Sequence, residues 1–247
     1  MFKQALSLAV LSTVASIASI GYAGSAHALG LTVTPGVYRQ PTVTNEGAFS
    51  AEVNNSNYQT FDFNNGIVPG NDKVVYSFDK TNLTSPGRTG ILSDMWAPSG
   101  VNGEDNVSKY LAVFEGTTVT IQTQSRETFN YFGFDAGAIS TGNSIKFFNN
   151  NTLVKELGYK DLNGLALVRN AKQNQLNAFF EFFSQGSNDN FNKIVLSQTG
   201  GGGFESDNHT FRIGNGAYAA VPEPGVVVGL FGVGGMFLRK RKSQKIA

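Results

Sequence analysis

A short segment near the end of the chain gathers several residue types that do chemistry, from Glu205 through Ser206, Asp207 and Asn208 to His209. A histidine beside acids and a serine suggests hydrolysis, because a histidine base acts on a serine and is oriented by a carboxylate. The pattern G-x-S-x-G, which presents the serine of many hydrolases, occurs nowhere in the chain. Adjacency in sequence also does not supply the spatial arrangement of a triad. We therefore predict no catalytic residue and no enzyme activity, and a secreted hydrolase is the second alternative.

Composition excludes or disfavours several other kinds of chemistry. The chain has no cysteine, which excludes disulfides, thiolate catalysis and zinc fingers. Its two histidines are too few for a histidine-rich transition-metal site. Between residues 29 and 220 there are 13 Lys and Arg against 17 Asp and Glu, so this region is mildly acidic. We expect no nucleic-acid partner, since such proteins carry a basic surface.

Three acidic residues form a candidate calcium site. Asp62 lies in the first strong strand pattern, and Glu205 and Asp207 lie near the last. Many extracellular jelly rolls hold a structural calcium between their first and last strands, where hard oxygen ligands converge. The alternative is ordinary turn chemistry, in which Asp and Asn bond their own backbone. Structural calcium is the one cofactor that the sequence suggests.

Aromatic residues offer a candidate sugar contact. Trp96 stands in the loop-like stretch "SDMWAPSG", where its indole can stack on a carbohydrate or cap the fold. The run "FFEFF" predicts a buried strand, with Phe180 and Phe182 pointing one way and Phe179 and Phe183, around Glu181, on the other side. An alternative makes some of these rings a stacking platform. A carbohydrate-binding module is therefore the first alternative function.

The elements that must position these residues are predominantly strands. Short aromatic and β-branched runs alternate with Asn- and Gly-rich turns, and no sustained helical periodicity appears. The predicted strands cover 58–63, 73–79, 109–115, 117–124, 129–135, 144–148, 152–157, 177–183, 192–198 and 209–213. Residues 161–176 fit a helix or a strand followed by a loop, and we favour the second. This pattern predicts an all-β fold, an antiparallel β-sandwich of jelly-roll type.

The predicted sandwich domain spans residues 58–216. Residues 29–57 form an irregular leader or an edge strand, because Pro35 and Pro41 disfavour a central strand position. Residues 1–28 have the features of a signal peptide: Lys3, an apolar run over 5–20, and Ala26-His27-Ala28 before the expected cut by signal peptidase.

The carboxyl-terminal region has three parts in a fixed order. A linker over 217–224 contains Pro222, Glu223 and Pro224, and residues 225–247 comprise a short hydrophobic helix and a basic tail of Arg239, Lys240, Arg241 and Lys242. The apolar run over 225–238 is shorter than the about 20 residues of an ordinary membrane span. With snorkelling of Arg239 it reaches a marginal span whose basic end stays in the cytoplasm.

This order resembles the PEP-CTERM sorting signal of bacterial exported proteins. The resemblance implies recognition of Pro222-Glu223-Pro224 by an exosortase, a membrane protease-transpeptidase that removes the tail after a transient stay in the inner membrane. A plain single-span anchor is the alternative.

The middle of the chain is similar to a group of exosortase-dependent surface proteins, mainly cyanobacterial. Residues 130–154 and 191–213 carry this similarity, although Asp135-Ala136 stands where that pattern often has Tyr-Trp. The similarity implies a β-sandwich at the cell surface and no known activity. We expect an exported cell-surface or extracellular-matrix protein with a structural or adhesive role, for which extracellular polysaccharide is a candidate partner.

Overall fold

The computed structural model describes residues 29–79, 89–124, 126–169 and 174–218. The predicted signal peptide (1–28) and the sorting segment with Pro222, Glu223, Pro224 and the basic cluster 239–242 lie outside these residues. The chain separates into two compact units, Met1–Ala217 and Tyr218–Ala247, and every strand described below belongs to the first. Within the described ranges, no helix has the length and apolar character needed to cross a bilayer.

Thirteen strands, one α-helix and one 3-10 turn make up the described part of the chain. In chain order they are β1 Gly30–Thr34, β2 Gln59–Phe61, β3 Val74–Phe78, β4 Gly90–Leu92, β5 Tyr110–Phe114, β6 Thr117–Thr123, β7 Phe129–Gly137, β8 Asn143–Asn149, β9 Thr152–Gly158, α1 Tyr159–Leu165, β10 Val168–Arg169, β11 Leu176–Phe183, the turn Ser187–Asp189, β12 Lys193–Gln198 and β13 Gly203–Ile213.

The strands form two sheets in which every paired neighbour is antiparallel. The larger sheet has the order β1-β11-β7-β13-β5-β4, with β10 beside β11 and β2 beside β13. The smaller sheet has the order β3-β6-β12-β8-β9. The all-β prediction is therefore confirmed at the level of two antiparallel sheets.

The core between the sheets is built from the apolar face of each strand. In β6, Val119 and Ile121 are fully buried while Thr118, Thr120 and Gln122 keep some solvent contact, which is the alternation that the sequence predicts. Phenylalanines dominate the contribution of the larger sheet, and the buried aromatic rings of the core are Phe63, Tyr76, Phe129, Phe132, Phe134, Phe147, Phe180, Phe182, Phe191, Phe204 and Phe211.

The strand containing "FFEFF" is β11, and its two faces are both covered. Phe180 and Phe182 lie in the core between the sheets. Phe179 is fully buried on the opposite face. Strand β7 is likewise buried at all nine positions, so something other than the smaller sheet covers the outer face of the larger one.

Two irregular segments, residues 35–58 and 93–109, supply that cover. Hydrogen bonds tie them to outer-face side chains of the larger sheet: Ala48 N–H donates to Asp135, and Asn106 donates to Asp207. The sandwich therefore has two interiors, one between the sheets and one beneath these segments.

The region 161–176 corrects one expectation. We favoured a strand followed by a loop, but the chain forms α1 directly after β9 and only then the two-residue strand β10. Asp161 Oδ2 accepts a hydrogen bond from the Gly158 N–H at 3.0 Å, which supports the first turn of the helix. Leu162 is fully buried and anchors that turn to the core.

Candidate functional site

The central strands of the larger sheet place four carboxylates on its outer face. Asp135 lies on β7, Glu181 on β11, and Glu205 and Asp207 on β13. Asp207 is the direct cross-strand partner of Asp135, and Glu181 is paired with Gly133. We call these carboxylates, Asn208, and the residues of segments 35–58 and 93–109 that contact them the polar layer.

A β-bulge in β13 places the side chains of Asp207 and His209 on opposite faces of the larger sheet. Pairing between β13 and β7 shifts register between Asp207 and Thr210, and Asn208 adopts a left-handed φ of 51°. The inserted residue breaks the two-residue alternation, so Asp207 faces the polar layer while His209 faces the core between the sheets. Asn is among the few residues that tolerate this backbone conformation.

Asp135 and Asp207 are the most deeply enclosed acids of the polar layer, with 1% and 0% of their surfaces exposed. Asp135 Oδ2 accepts from the Ala48 N–H at 2.8 Å. Asp207 Oδ2 accepts from Asn106 Nδ2 at 3.1 Å and from Ser108 Oγ at 3.0 Å. Each carboxyl group is therefore held by a segment that covers the sheet.

The electrostatic surroundings of this pair favour uncharged carboxyl groups. Burial raises the pKa of Asp135 well above its ordinary value, and the charge of Asp207 raises it further. Burial also raises the pKa of Asp207 well above its ordinary value, against the hydrogen bonds that it accepts. Neither acid forms an ion pair with Lys, Arg or His in the part of the chain that the structure describes. Among the described residues, none therefore supplies an opposite charge in contact with this pair.

The loop at Gly47 approaches the same pair. Asn208 Nδ2 donates to the carbonyl oxygens of Glu46 at 2.8 Å and Ala48 at 3.0 Å. Gly47 has φ +76°, and a Cβ there would lie 2.9–3.0 Å from Asn106 Nδ2, Asn208 Nδ2 and Asp135 Oδ2. Only glycine fits this position without displacing those polar atoms.

The other two carboxylates of the polar layer lie in separate surroundings. Tyr131 Oη donates to Glu181 Oε1 at 2.6 Å and is itself 2.7 Å from Ser50 Oγ. Glu205 Oε2 is buried without a hydrogen-bond partner. Burial raises the pKa of Glu205 to about 8, and the charge of Asp94 adds to that rise.

His209 is enclosed by aromatic side chains in the core between the sheets. Its Nδ1 lies 2.8 Å from Tyr76 Oη, and its ring contacts Phe63 edge to face at a centroid distance of 4.9 Å. Burial lowers the pKa of His209 to about 3, and none of its surface is exposed. The imidazole is therefore neutral near pH 7 and does not reach solvent.

The three residues of the sequence-predicted calcium site do not form one group. Asp62 makes an ion pair with Arg39 at 2.7 Å, Glu205 lies beside Gly203, and Asp207 is held by Asn106 and Ser108. Across the four described ranges, no three His, Cys, Asp or Glu side chains come together as a metal-binding group.

Sequence reasoning missed Asp135, Asn106 and the loop at Gly47 as partners of Asp207. One signal pointed to Asp135: it is the single charged residue in the otherwise aromatic and small strand "FNYFGFDAG". A lone charge in a fully buried strand requires a partner from elsewhere in the fold.

Trp96 lies in the second covering segment and remains 41% exposed. Its backbone N–H donates to Asp94 Oδ1 at 2.9 Å, which fixes the turn that carries it. Met95 beside it is 51% exposed. The two side chains form an exposed apolar site at the sequence position predicted for a carbohydrate contact.

Comparison of the chain with models of known protein families and with curated proteins finds no match.

Proposed function

We propose that this chain is an exported cell-surface or extracellular-matrix protein whose β-sandwich domain has a non-catalytic, structural or adhesive role. The observation that carries the proposal is the enclosure of the residues that chemistry would use. His209 and Asp207 have no exposed surface, and Glu205 has 4%. A catalytic group must reach its substrate, so these buried positions favour a role in the fold over one in turnover.

The order of the strands supports a jelly roll. Eight strands, β5 to β9 and β11 to β13, form two four-stranded sets with the orders β5-β13-β7-β11 and β6-β12-β8-β9. The first strand of the eight lies beside the last, and the second lies beside the second-last. This is the arrangement of two interlocked Greek keys. Extracellular lectins and capsid proteins use the same architecture, which fits a display or adhesion role.

The proposal that the protein is exported is based on the two ends of the sequence. The signal peptide pattern before Leu29 and the order Pro222-Glu223-Pro224, apolar run, basic tail together predict processing by signal peptidase and by an exosortase. Mass spectrometry of the protein from its native host tests this. The expected species begins at Leu29, ends near Pro222–Pro224 and fractionates with the cell surface or matrix. A chain that keeps Arg239–Lys242 in the inner membrane contradicts the sorting proposal.

Carbohydrate binding is the second candidate, favoured by the exposed Trp96 and Met95. Aromatic faces stack on sugar rings, and an indole on a fixed turn is organised for that contact. The test is a glycan array and titration with extracellular polysaccharide, comparing the unaltered chain with Trp96→Ala. Ile67→Ala is the matched control, because it removes another exposed apolar side chain, at 66% exposure, from a different loop. Binding lost only in Trp96→Ala supports this candidate, and equal binding by both variants rejects it.

A further inference from the structure

We infer that the Gly47 loop, Asp135, Asp207 and Asn208 form a calcium-binding site within the polar layer. This site goes beyond the proposed surface role. It shares Asp207 with the trio expected from the sequence but uses neither Asp62 nor Glu205.

Charge is the first reason. Asp135 and Asp207 are direct cross-strand partners and are both essentially inaccessible to solvent. Like charges opposite each other in a sheet repel, and burial removes the water that would screen them. A divalent cation would neutralise both carboxylates where the described chain supplies no basic side chain.

An orphaned buried oxygen is the second, independent reason. Asn208 is 1% exposed, and its Oδ1 accepts no hydrogen bond. The same amide group lies in the space beside Gly47, since its Nδ2 and Asp135 Oδ2 would each be 3.0 Å from a Cβ placed there. A buried amide oxygen without a donor is costly in an apo protein and is a good ligand for a hard cation.

The carbonyl groups of the loop complete the donor set. The Glu46 and Ala48 oxygens lie 2.8 and 3.0 Å from the end of the Asn208 amide. In a pentagonal-bipyramidal shell with oxygens about 2.4 Å from calcium, neighbouring equatorial oxygens are about 2.8 Å apart. Rotation of the amide by half a turn would exchange Oδ1 with Nδ2, which gives up the two hydrogen bonds that Nδ2 donates and brings Oδ1 to that spacing from these carbonyls. Two carboxylates, one amide and two carbonyls give at least five oxygen ligands, and water supplies the remainder.

The donor chemistry selects calcium among common cations. Every candidate ligand is an oxygen, and no histidine or cysteine takes part, which disfavours zinc and copper. Backbone carbonyls from an irregular loop make a flexible shell, which suits the six to eight ligands of calcium better than the strict octahedron of magnesium.

The test is calcium-dependent stability of the full 247-residue chain. After EDTA treatment and desalting, the folding equilibrium is measured by denaturant titration with and without about 10 mM calcium chloride. For a dissociation constant of about 10⁻⁴–10⁻³ M, typical of extracellular modules, calcium should shift the folding equilibrium about 10- to 100-fold. Calorimetry should give one bound calcium per chain, and magnesium should give a smaller shift.

Isosteric variants locate the site. Asp135→Asn with Asp207→Asn keeps the shape and removes the charge, so the variant should fold without calcium and lose the calcium shift. Glu181→Gln is the matched control, because it neutralises a half-buried carboxyl group of the same sheet face, and it should keep the shift.

Three outcomes would overturn the inference. One is that the unaltered chain binds no calcium. This result can be interpreted without any variant, and it would mean that the carboxyl pair is protonated instead. Another is a calcium shift that survives in the Asp135→Asn, Asp207→Asn variant. The third is a magnesium shift equal to or larger than that of calcium.

Discussion

The two faces of the larger sheet bury chemically opposite side chains, apolar rings on one face and carboxylates on the other, although the same strands contribute both. The inner face packs aromatic rings against one another and against the smaller sheet: the ring centroid of Phe132 lies 4.9 Å from that of Phe211 in the same sheet and 6.3 Å from that of Phe147 in the smaller sheet. The outer face places carboxylates beneath irregular segments and satisfies most of them with hydrogen bonds. The inner face gains stability from apolar area removed from water, whereas the outer face must offset the desolvation of charge.

This difference underlies our inference that the outer face holds a calcium site. Close packing of aromatic side chains in a protein interior leaves few voids larger than a water molecule. Buried polar atoms without a hydrogen-bond partner in the described residues occur on both faces, at His209 Nε2 on the inner one and at Asn208 Oδ1 and Glu205 Oε2 on the outer one. The outer face also encloses Asp135 and Asp207, for which the described residues supply no ion-pair partner. Unsatisfied polar groups of this kind are costly, and proteins retain them where they serve a site.

The largest expected loss of stability comes from a substitution on the inner face. Phe132→Ala removes a fully buried ring from the middle of the aromatic cluster and should lower the free energy of unfolding by about 3–5 kcal/mol. Phe132→Leu, which keeps most of the volume, should cost clearly less. Denaturant unfolding measures both. A loss below about 1 kcal/mol for the alanine variant would show that the ring is not part of a close-packed core.

A smaller loss is expected where the covering loop meets the polar layer. Gly47→Ala forces a side chain into a positive φ and against three polar atoms, so it should cost about 1–3 kcal/mol. Gly158→Ala is the control, because a Cβ there meets nothing within 4 Å and its φ is −100°. Equal stability of the two variants would mean that the loop does not lie against the carboxylates.

Replacing Glu181 should give a small, pH-dependent gain in the free energy of unfolding, whereas the two preceding substitutions should lower it. Burial raises the pKa of Glu181 above its ordinary value of 4.5. The contribution of this raised pKa to folding stability is therefore complete below pH 4.5 and is lost as pH rises through the folded-state pKa. Glu181→Gln keeps an acceptor for Tyr131 and should stabilise the fold at pH 7 by on the order of 1 kcal/mol or less. The gain should vanish near pH 4. A gain that is constant with pH would assign it to packing instead.

Much of the inner face could be predicted from the sequence. Alternation in residues 117–124 and the paired phenylalanines of "FFEFF" specify which side chains face the core, because strand periodicity is local. The helix at 159–165 was the less favoured alternative, because a helix of seven residues is too short to show a clear helical periodicity in the sequence.

The polar layer could not be predicted in the same way. A single bulge at Asn208 reverses the face of every residue after it, so Asp207 and His209 separate although their spacing suggests a shared face. The partners of Asp135 and Asp207 come from Ala48 and Asn106, which are 87 and 101 residues away along the chain. Such contacts depend on the path of irregular segments, and the sequence of such a segment has no periodic pattern from which that path could be predicted.

The most direct test of the contrast between the two faces is a crystal structure of the protein grown with calcium, with anomalous data collected at long wavelength. We predict one calcium peak beside Gly47, with oxygen atoms of Asp135 and Asp207 at about 2.3–2.6 Å from the ion. The aromatic core between the sheets should contain no ion. A structure that shows no peak there, with both aspartates keeping only their hydrogen bonds to Ala48, Asn106, Ser108 and the Asn208 N–H, would contradict it.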